Sequence, residues 1–131
     1  MANELKLSFN VTFDDGIKPE VVASITERFK TIADKRPVML VQSVGTSEEA
    51  VVLGDTAALG GTLVLVNLDP TNFVNVKVAT GGAIFAKLFP DTDSDGSGGF
   101  IVLDAMGSGA LAPFVIADTA ACKVLVMICP P

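Results

Sequence analysis

The stretch GGTLVLVNLDPTNFVNVKVAT, residues 60–80, decides the fold, because two extended apolar runs flank a short polar turn. Residues 63–66 (LVLV) are apolar without a break, which is typical of a strand covered on both faces. After the turn, apolar residues recur at every second position, as in a half-buried strand: Val74, Val76 and Val78. The stretch therefore predicts a β-hairpin at the centre of the core.

The turn itself, NLDPTN at residues 67–72, has the chemistry of a tight connection. The side chains of Asn67 and Asp69 can cap backbone groups, and the ring of Pro70 fixes its own φ angle. We interpret this turn as structural, although so compact a loop also suits a contact tip.

The rest of the chain contains further short strands separated by turns. The clearest is ELKLSFNVTF at residues 4–13, in which polar and apolar residues alternate strictly. Other predicted strands lie at residues 38–44, 50–53, 83–89, 100–103, 113–117 and 123–128. Short strands with turn residues between them predict an all-β fold, an antiparallel β-sandwich or jelly-roll-like barrel, as a single domain over residues 1–131.

Residues 18–36 allow two interpretations. Apolar residues there fall at helical spacing, with Pro19 suited to a first turn: Val21, Val22, Ile25, Phe29 and Ile32. The same segment is rich in Val, Ile, Thr and Phe, which favour strands. Because the rest of the chain is so rich in strands, we favour an extended segment, and residues 1–36 are a candidate docking arm.

Composition and charge exclude several classes of function. Half of the residues are apolar and 18% are charged, so we expect part of the surface to be buried against another subunit. The net charge of −6 argues against nucleic-acid binding, which needs a basic face. No run of about eighteen apolar residues predicts a membrane span, and residues 1–4 do not resemble a signal peptide.

Four of the nine basic residues are clustered: Arg28, Lys30, Lys35 and Arg36. Such a cluster is usually a solvated edge or loop. The alternative is a patch that docks on an acidic surface of a partner protein. Both interpretations remain open at this point.

The loop DTDSDGSGG at residues 91–99 begins as a calcium-binding loop does. Asp91, Asp93 and Asp95 alternate ahead of Gly96, a spacing that lets carboxylates converge on one cation. The position where a bidentate glutamate completes such a shell holds Val102 instead. The alternative is an acidic turn between two strands, with glycine and serine as ordinary turn residues.

The two cysteines, Cys122 and Cys129, lie in the last apolar run. If that run is one strand, their odd separation places them on opposite faces, so we expect free thiols in a reducing compartment. Two cysteines without any histidine cannot complete a tetrahedral metal site. Serine or cysteine also lacks the usual base, so we assign no catalytic residue and expect no enzyme activity.

Several segments resemble a pattern found in short virion proteins of tailed bacteriophages. They are QSVGTSEEA at 42–50, LGD at 53–55, NLDPTNFV at 67–74, PF at 113–114 and ADTAAC at 117–122, followed by an apolar C-terminal strand. The similarity rests on turn residues and begins at residue 42. Proteins of this family are small β-sandwich or jelly-roll modules, and the resemblance implies a capsid decoration or cement protein.

The first hypothesis is therefore a structural protein that binds the major capsid protein on the outside of a phage capsid and stabilises the shell. We expect a homo-oligomer, as a trimer, that is synthesised in the host cytoplasm and resides in the virion, without nucleic-acid or membrane partners. The alternative is a head or tail appendage that binds host-surface glycans with calcium at the acidic loop. Apart from that calcium, no cofactor is expected.

Overall fold

The structure is a computed structural model in which the chain divides into two compact units, Met1–Lys35 and Arg36–Pro131. It describes the backbone of residues 3–14, 19–32, 38–53, 61–92, 98–106 and 113–129. Side chains are described for residues 39–53, 62–92, 98–103 and 113–128. Within these ranges every regular element is a β-strand, which confirms the prediction of an all-β chain.

The first unit is a two-stranded antiparallel sheet of β1 (Asn3–Asp14) and β2 (Pro19–Ile32). The pairing runs from Asn3 opposite Ile32 to Asp14 opposite Pro19. The extended interpretation of this segment is confirmed, and the helical alternative is wrong. The physical reason is that β1 offers backbone hydrogen-bond partners along nearly the whole of β2, whose β-branched and aromatic residues favour a strand.

The second unit contains eight strands: β3 (Val38–Val44), β4 (Glu49–Ala50), β5 (Gly61–Asn67), β6 (Val74–Lys77), β7 (Ile84–Leu88), β8 (Phe100–Met106), β9 (Phe114–Ala117) and β10 (Cys122–Cys129). They form two four-stranded sheets. The first sheet has the order β3-β10-β5-β8, and the second has the order β4-β9-β6-β7. Every pairing in both sheets is antiparallel, so this unit is a β-sandwich.

The strand order is that of a jelly roll. β6 and β7 form a hairpin, and the pairs continue outward from it as β5 with β8, β4 with β9, and β3 with β10. The eight strands are thus one long hairpin, rolled up so that β10 also pairs with β5 and β9 with β6. A double-sheet jelly roll is a sandwich with this connectivity, so the two predicted alternatives coincide.

The hydrophobic core lies between the two sheets. Every second side chain of β5 and β10 meets every second side chain of β6 and β9, because successive residues of a strand point to opposite faces. The most buried members are 0% or 1% exposed: Leu63, Leu65, Val74, Val76, Val115, Val124 and Val126. Burying each such side chain stabilises the fold by about 1.5–3 kcal/mol before chain entropy is counted.

The predicted β-hairpin over residues 60–80 is wrong in its pairing. Both arms are strands, but β5 pairs with β10 and β8, whereas β6 pairs with β9 and β7. The turn between them therefore crosses from one sheet to the other, and we call residues 68–73 the arch. Both strands face the same core, so an arch and a hairpin produce the same apolar alternation. Val78 lies beyond β6 and is 45% exposed, unlike Val74 and Val76.

Most other predicted strands agree with the structure within one residue at each end. One exception is residues 50–53, since β4 comprises only Glu49–Ala50. Beyond β4 the chain still runs beside the segment that leads into β9, and Val51 N donates to Pro113 O at 3.0 Å. The other exception is β8, which ends three residues beyond the predicted 100–103 and includes Met106, which the sequence places in a loop.

Candidate functional site

A buried amide organises the end of the sandwich where the arch crosses. Asn67, the last residue of β5, is 0% exposed. Its Nδ2 donates to the carbonyl oxygens of Asn72, Leu88 and Phe89 at 2.9, 3.1 and 3.2 Å. Its Oδ1 accepts from the backbone N of Asp69 at 3.0 Å. Because a buried amide is costly unless it is hydrogen-bonded, this side chain ties the arch to the end of β7.

The carboxylate of Asp69 shapes the arch itself. Its Oδ1 accepts from the backbone N of Thr71 at 2.8 Å and of Asn72 at 2.6 Å. Partial burial raises the pKa of Asp69, but the hydrogen bonds from Asn72 and Thr71 outweigh it and hold the pKa below its ordinary 3.8. The capping roles predicted for Asn67 and Asp69 are confirmed, whereas the reach of Asn67 to β7 was not predicted.

Both ends of the acidic loop are attached to the arch and its neighbours. Asp91 N donates to Asp69 O at 2.8 Å, and Gly98 N donates to Asn67 O at 3.0 Å. A Cβ on Gly98 would lie 2.5 Å from Asn67 O, and a Cβ on Gly99 would lie 2.5 Å from the backbone N of Phe89. Such distances are too short for a side chain, so the close backbone approach requires glycine at both positions.

The calcium hypothesis concerns Asp91, Asp93 and Asp95. Asp91 is buried at 8% exposure, while Asp93 and Asp95 lie outside the described residues. Val102, at the position of the closing ligand, lies in β8 opposite Val64. Where side chains are described, no three acidic or thiol groups lie close enough to hold a metal ion together. The calcium site therefore stays a prediction, and a strand occupies the place where its last ligand would be.

Gln42 and Glu49 fasten the segment that follows β3. Glu49 Oε1 accepts from Gly45 N at 2.6 Å, which closes the turn between β3 and β4. The buried side chain of Gln42 donates to Ala50 O at 3.0 Å and accepts from Val52 N at 2.8 Å. These polar groups satisfy backbone atoms of a segment that has little regular pairing, which accounts for a buried glutamine in the core.

Glu48 makes the ion pair that links this segment to β6. Its Oε2 lies 2.7 Å from Lys77 Nζ, and its Oε1 accepts from Gly81 N at 2.7 Å. The hydrogen bond from Lys77 and then that from Gly81 hold the pKa of Glu48 below its ordinary 4.5. A carboxyl whose pKa is lower in the folded chain than in the unfolded chain stabilises the fold at every pH above its pKa in the unfolded chain. This contribution is lost as the pH falls through its pKa in the folded chain.

We therefore expect Glu48→Gln to weaken the acid sensitivity of the fold. The free energy of unfolding should change less with pH below about 4.5 in the variant than in the wild type, because the variant lacks this titration. Urea unfolding at a series of pH values measures the difference. High salt should reduce this difference between the two proteins, since the ion pair of Glu48 with Lys77 is close to solvent and is screened. Equal pH dependence in both proteins would contradict the assignment.

Cys122 is a buried free thiol, as the sequence predicts. Its Sγ lies 3.4 Å from Ala120 O. Burial, and then the negative charge of Asp69, raise the pKa of the Cys122 thiol from 9.0 to about 11. Such a thiol is a poor nucleophile near neutral pH, so Cys122 serves as a core residue. Cys129 is the last residue of β10, and its side chain lies outside the described ones.

The candidate functional site is the outer face of the first sheet, which points away from the core. Its side chains form two rows across all four strands. One row is Val41, Leu125, Val66 and Phe100; the other is Met39, Met127, Val64 and Val102. We call these residues the apolar face. Met39, Val41 and Phe100 are 67%, 55% and 60% exposed, and the other members are half-buried.

The apolar face is continuous and carries no charge. Neighbouring strands lie about 4.8 Å apart, so each row is about 14 Å long. The exposed pair Ser43 and Lys123 bounds the face at one end, and the buried Thr62 bounds it at the other. Antiparallel sheets that face water normally carry polar residues on that side. The composition of this face is instead that of a surface that contacts another protein.

The outer face of the second sheet is mixed. Asn75 lies opposite Lys87 on one neighbouring strand and opposite Ile116 on the other. Lys87 Nζ lies 3.5 Å from the centroid of the Phe73 ring, a cation–π contact that keeps the charge at the surface. Charged and apolar side chains therefore alternate on this sheet, where Ile84 is 53% exposed, whereas the two rows of the apolar face contain no charged residue.

The sequence contains a signal for the apolar face. Residues 63–66 and 123–128 are nearly continuous apolar runs, and they predict strands that are buried on both faces. The structure shows that the core covers one face only: Leu63 and Leu65 are 0% exposed, whereas Val64 and Val66 are half-buried. The described residues of the second unit do not cover the second face, which is the feature that sequence reasoning missed.

Two of the four predicted docking residues, Arg28 and Lys30, lie in β2 of the first unit. In the pairing of β1 with β2, Arg28 lies opposite Leu7 and Lys30 lies opposite Leu5. Lys35 and Arg36 lie outside the described residues. Whether the cluster is a solvated edge or a docking patch therefore stays open, and its docking role stays a prediction.

Comparisons with protein-family models, with curated proteins and with solved structures give no match. Among the residues described, no helix has the length and apolar character of a membrane span. The function proposed below therefore rests on the geometry of the chain and on the resemblance of its turn segments.

Proposed function

We propose that this chain is a structural assembly protein that binds the outer surface of a phage capsid and stabilises it as a decoration or cement protein. The observation that carries the proposal is the apolar face, a set of uncharged side chains on four strands that the core does not cover. Contiguous exposed apolar surface is typical of protein interaction sites. The capsid as partner comes from the resemblance of the turn segments.

The polar side chains support a structural role. Glu48, Glu49 and Asp69 each accept hydrogen bonds from backbone N–H groups of turns. Cys122 is buried with a raised pKa, and the sequence contains no histidine. General acid–base catalysis needs a titratable group within reach of a substrate and with a pKa near the working pH. Since these groups hold turns in place, we propose no catalytic residue.

The jelly-roll order supports a virion protein by analogy. Double-sheet jelly rolls occur in viral capsid proteins and also in lectins, and a fold does not by itself specify a function. The fold thus fits the glycan-binding alternative as well. The apolar face favours the structural proposal, because it presents a single aromatic ring, Phe100, and no hydrogen-bonding side chain to a sugar.

Mass action explains how such a protein strengthens a shell. A protein that binds the assembled shell and not its separate subunits stabilises the shell by an amount that grows with its concentration and affinity. Contacts between bound copies increase the effect, because each bound copy raises the effective concentration of the next. The proposed partner is the major capsid protein, and the proposed location is the virion.

Co-sedimentation with empty shells of the capsid protein tests this proposal. We expect the chain to sediment with the shells and to saturate at a fixed stoichiometry. Lys30→Glu should weaken binding at low salt, because the basic cluster is the proposed contact with an acidic capsid surface. Lys87→Glu makes the same charge change in β7 of the second unit, away from the cluster in the sequence, and is the control. A chain that stays in the supernatant at saturating shell concentration would overturn the proposal.

The response of the Tm to calcium distinguishes the structural proposal from the alternative, glycan binding with calcium at the acidic loop. We expect calcium to leave the Tm unchanged, because Val102 stands in place of the closing ligand and is paired within a strand. Thermal melts with calcium, and with magnesium as the control, measure the response. A calcium-specific rise of several degrees that Asp93→Asn abolishes would favour the alternative.

A further inference from the structure

We propose that the apolar face is the contact between two copies of this chain, related by a twofold axis that lies in the interface, parallel to the first sheet. Each copy then presents the same two rows of side chains to the other, as in an isologous interface. In this arrangement the second copy covers the apolar face, and the contact with the capsid falls to the basic cluster. The dimer forms in solution without a shell, so it is tested separately from the capsid proposal.

The charge of the chain restricts where two copies can meet. The net charge is −6, so two copies repel each other through much of their surface at low ionic strength. The apolar face carries no charge and is therefore a surface through which two acidic chains can meet. A basic or acidic partner would find no group there with which to form an ion pair.

The shape of the sheet also fits a second copy. Packed sheets lie about 10 Å apart, with their strands within about 30° of each other, because β-sheets share one hand of twist. Two copies of the same sheet have the same twist, so their outer faces can stack with the strands nearly aligned. Methionine, leucine and valine in the two rows can interdigitate across such an interface.

The size of the sheet suits the centre of an interface. β3 has seven residues, and at about 3.4 Å per residue it is about 24 Å long. Four strands are about 19 Å wide, so the plane of the sheet covers about 450 Å² (24 × 19). A standard interface buries about 800 Å² per partner, of which this plane supplies more than half, leaving the rest to a surrounding rim.

The proposed dimer differs from the trimer that the sequence-based hypothesis expects. In a trimer each copy uses two different surfaces that complement each other, whereas a twofold contact uses one surface that complements itself. The apolar face is one surface with one chemistry throughout, which matches the twofold case. The mass in solution distinguishes the two assemblies directly.

Sedimentation equilibrium of the full chain over a range of concentrations tests the proposal. We expect a mass of two chains of 13.5 kDa each. Val41→Lys should weaken association at least about a hundredfold, because it places an unpaired ammonium in the interface. Because lysine makes the chain less negative, stronger repulsion between copies cannot explain this loss. Ile84→Lys, at a 53% exposed position of β7 in the second sheet, is the matched control and should remain a dimer.

Three outcomes would overturn the proposal: a monomer at every concentration, a mass of three chains, or a folded Val41→Lys protein that associates as the wild type does. Co-sedimentation with shells tests the capsid proposal independently of the mass in solution. A dimer that does not sediment with shells overturns only the capsid proposal, and a monomer that does sediment overturns only this one.

Oxidation of Met39 gives a second readout that needs no substitution. Met39 is 67% exposed in the single chain and lies in one row of the apolar face. We expect peroxide to convert it to the sulfoxide several-fold more slowly as the protein concentration rises through the association range, because the partner shields it. Mass spectrometry of the peptide measures the rate. A rate that does not depend on protein concentration would overturn the proposal.

Discussion

Replacing Asn67 with leucine is expected to lower the free energy of unfolding by about 4 kcal/mol. Leucine has the same branching but bulkier methyl groups and no polar atom, so the hydrogen bonds of Asn67 to the arch and to the end of β7 are lost. The backbone N of Asp69 and the carbonyl oxygens around the site stay where they are, and each polar group left without a partner costs about 1–3 kcal/mol.

Urea unfolding followed by circular dichroism measures this loss. Wild type and variant are compared at one protein concentration, because self-association adds to the apparent stability. Thr71→Ala is the control: Thr71 is exposed and contributes its backbone N to the arch, so the change should stay below about 0.5 kcal/mol. An Asn67→Leu protein within about 1 kcal/mol of the wild type would show that the amide does not hold the arch.

Replacing Gly98 with alanine is expected to cost about 3 kcal/mol, the second large effect. The new Cβ would lie 2.5 Å from Asn67 O and 2.7 Å from Phe89 O, and both are backbone atoms that cannot rotate away. Relieving the overlap requires the loop to move, which also weakens the hydrogen bond from Gly98 N to Asn67 O. The acidic loop would then lose one of the backbone hydrogen bonds that attach it to the arch and its neighbours.

Gly45→Ala is the matched control for that substitution. A Cβ on Gly45 would lie 3.6 Å from Glu49 Oε1, an ordinary contact, so the same chemical change should alter the free energy of unfolding by less than about 1 kcal/mol. Urea unfolding of both variants gives the comparison. If Gly98→Ala were as stable as Gly45→Ala, the close approach of the two backbone segments would be contradicted.

The sequence predicts the strands well and their partners poorly. Strict alternation in residues 4–13 and the apolar runs at 38–44 and 123–128 locate β1, β3 and β10 to within one residue at each end. Alternation reports only which face of a strand is buried. It is identical for a hairpin and for an arch between two sheets, so the crossing after Asn67 could not be predicted from the pattern.

Long-range contacts account for the other differences. The segment of β2 has helical spacing, and its pairing with β1 overrides that spacing. The hydrogen bonds from Asn67 join residues that are 21 and 22 positions apart in the chain. No local pattern in the sequence predicts that contact, although the glycines at 98 and 99 indicate that the backbone there lies close to another segment of the chain.

The apolar face has a signal in the sequence, but the pattern alone does not explain it. An unbroken run such as LVLV at residues 63–66 indicates that both faces of a strand are covered. The core covers Leu63 and Leu65, and the described residues of the second unit leave Val64 and Val66 half-buried. Periodicity indicates which faces of a strand are apolar, and it does not distinguish a cover within the chain from one that a partner supplies.

Calorimetry of capsid shells with and without this chain tests the central claim most directly, namely that the protein acts by binding and stabilising an assembly. We predict that the shell denatures at a higher temperature when the chain is bound, and that the rise increases with chain concentration until the sites are full. A shell that denatures at the same temperature with and without saturating chain would contradict the account.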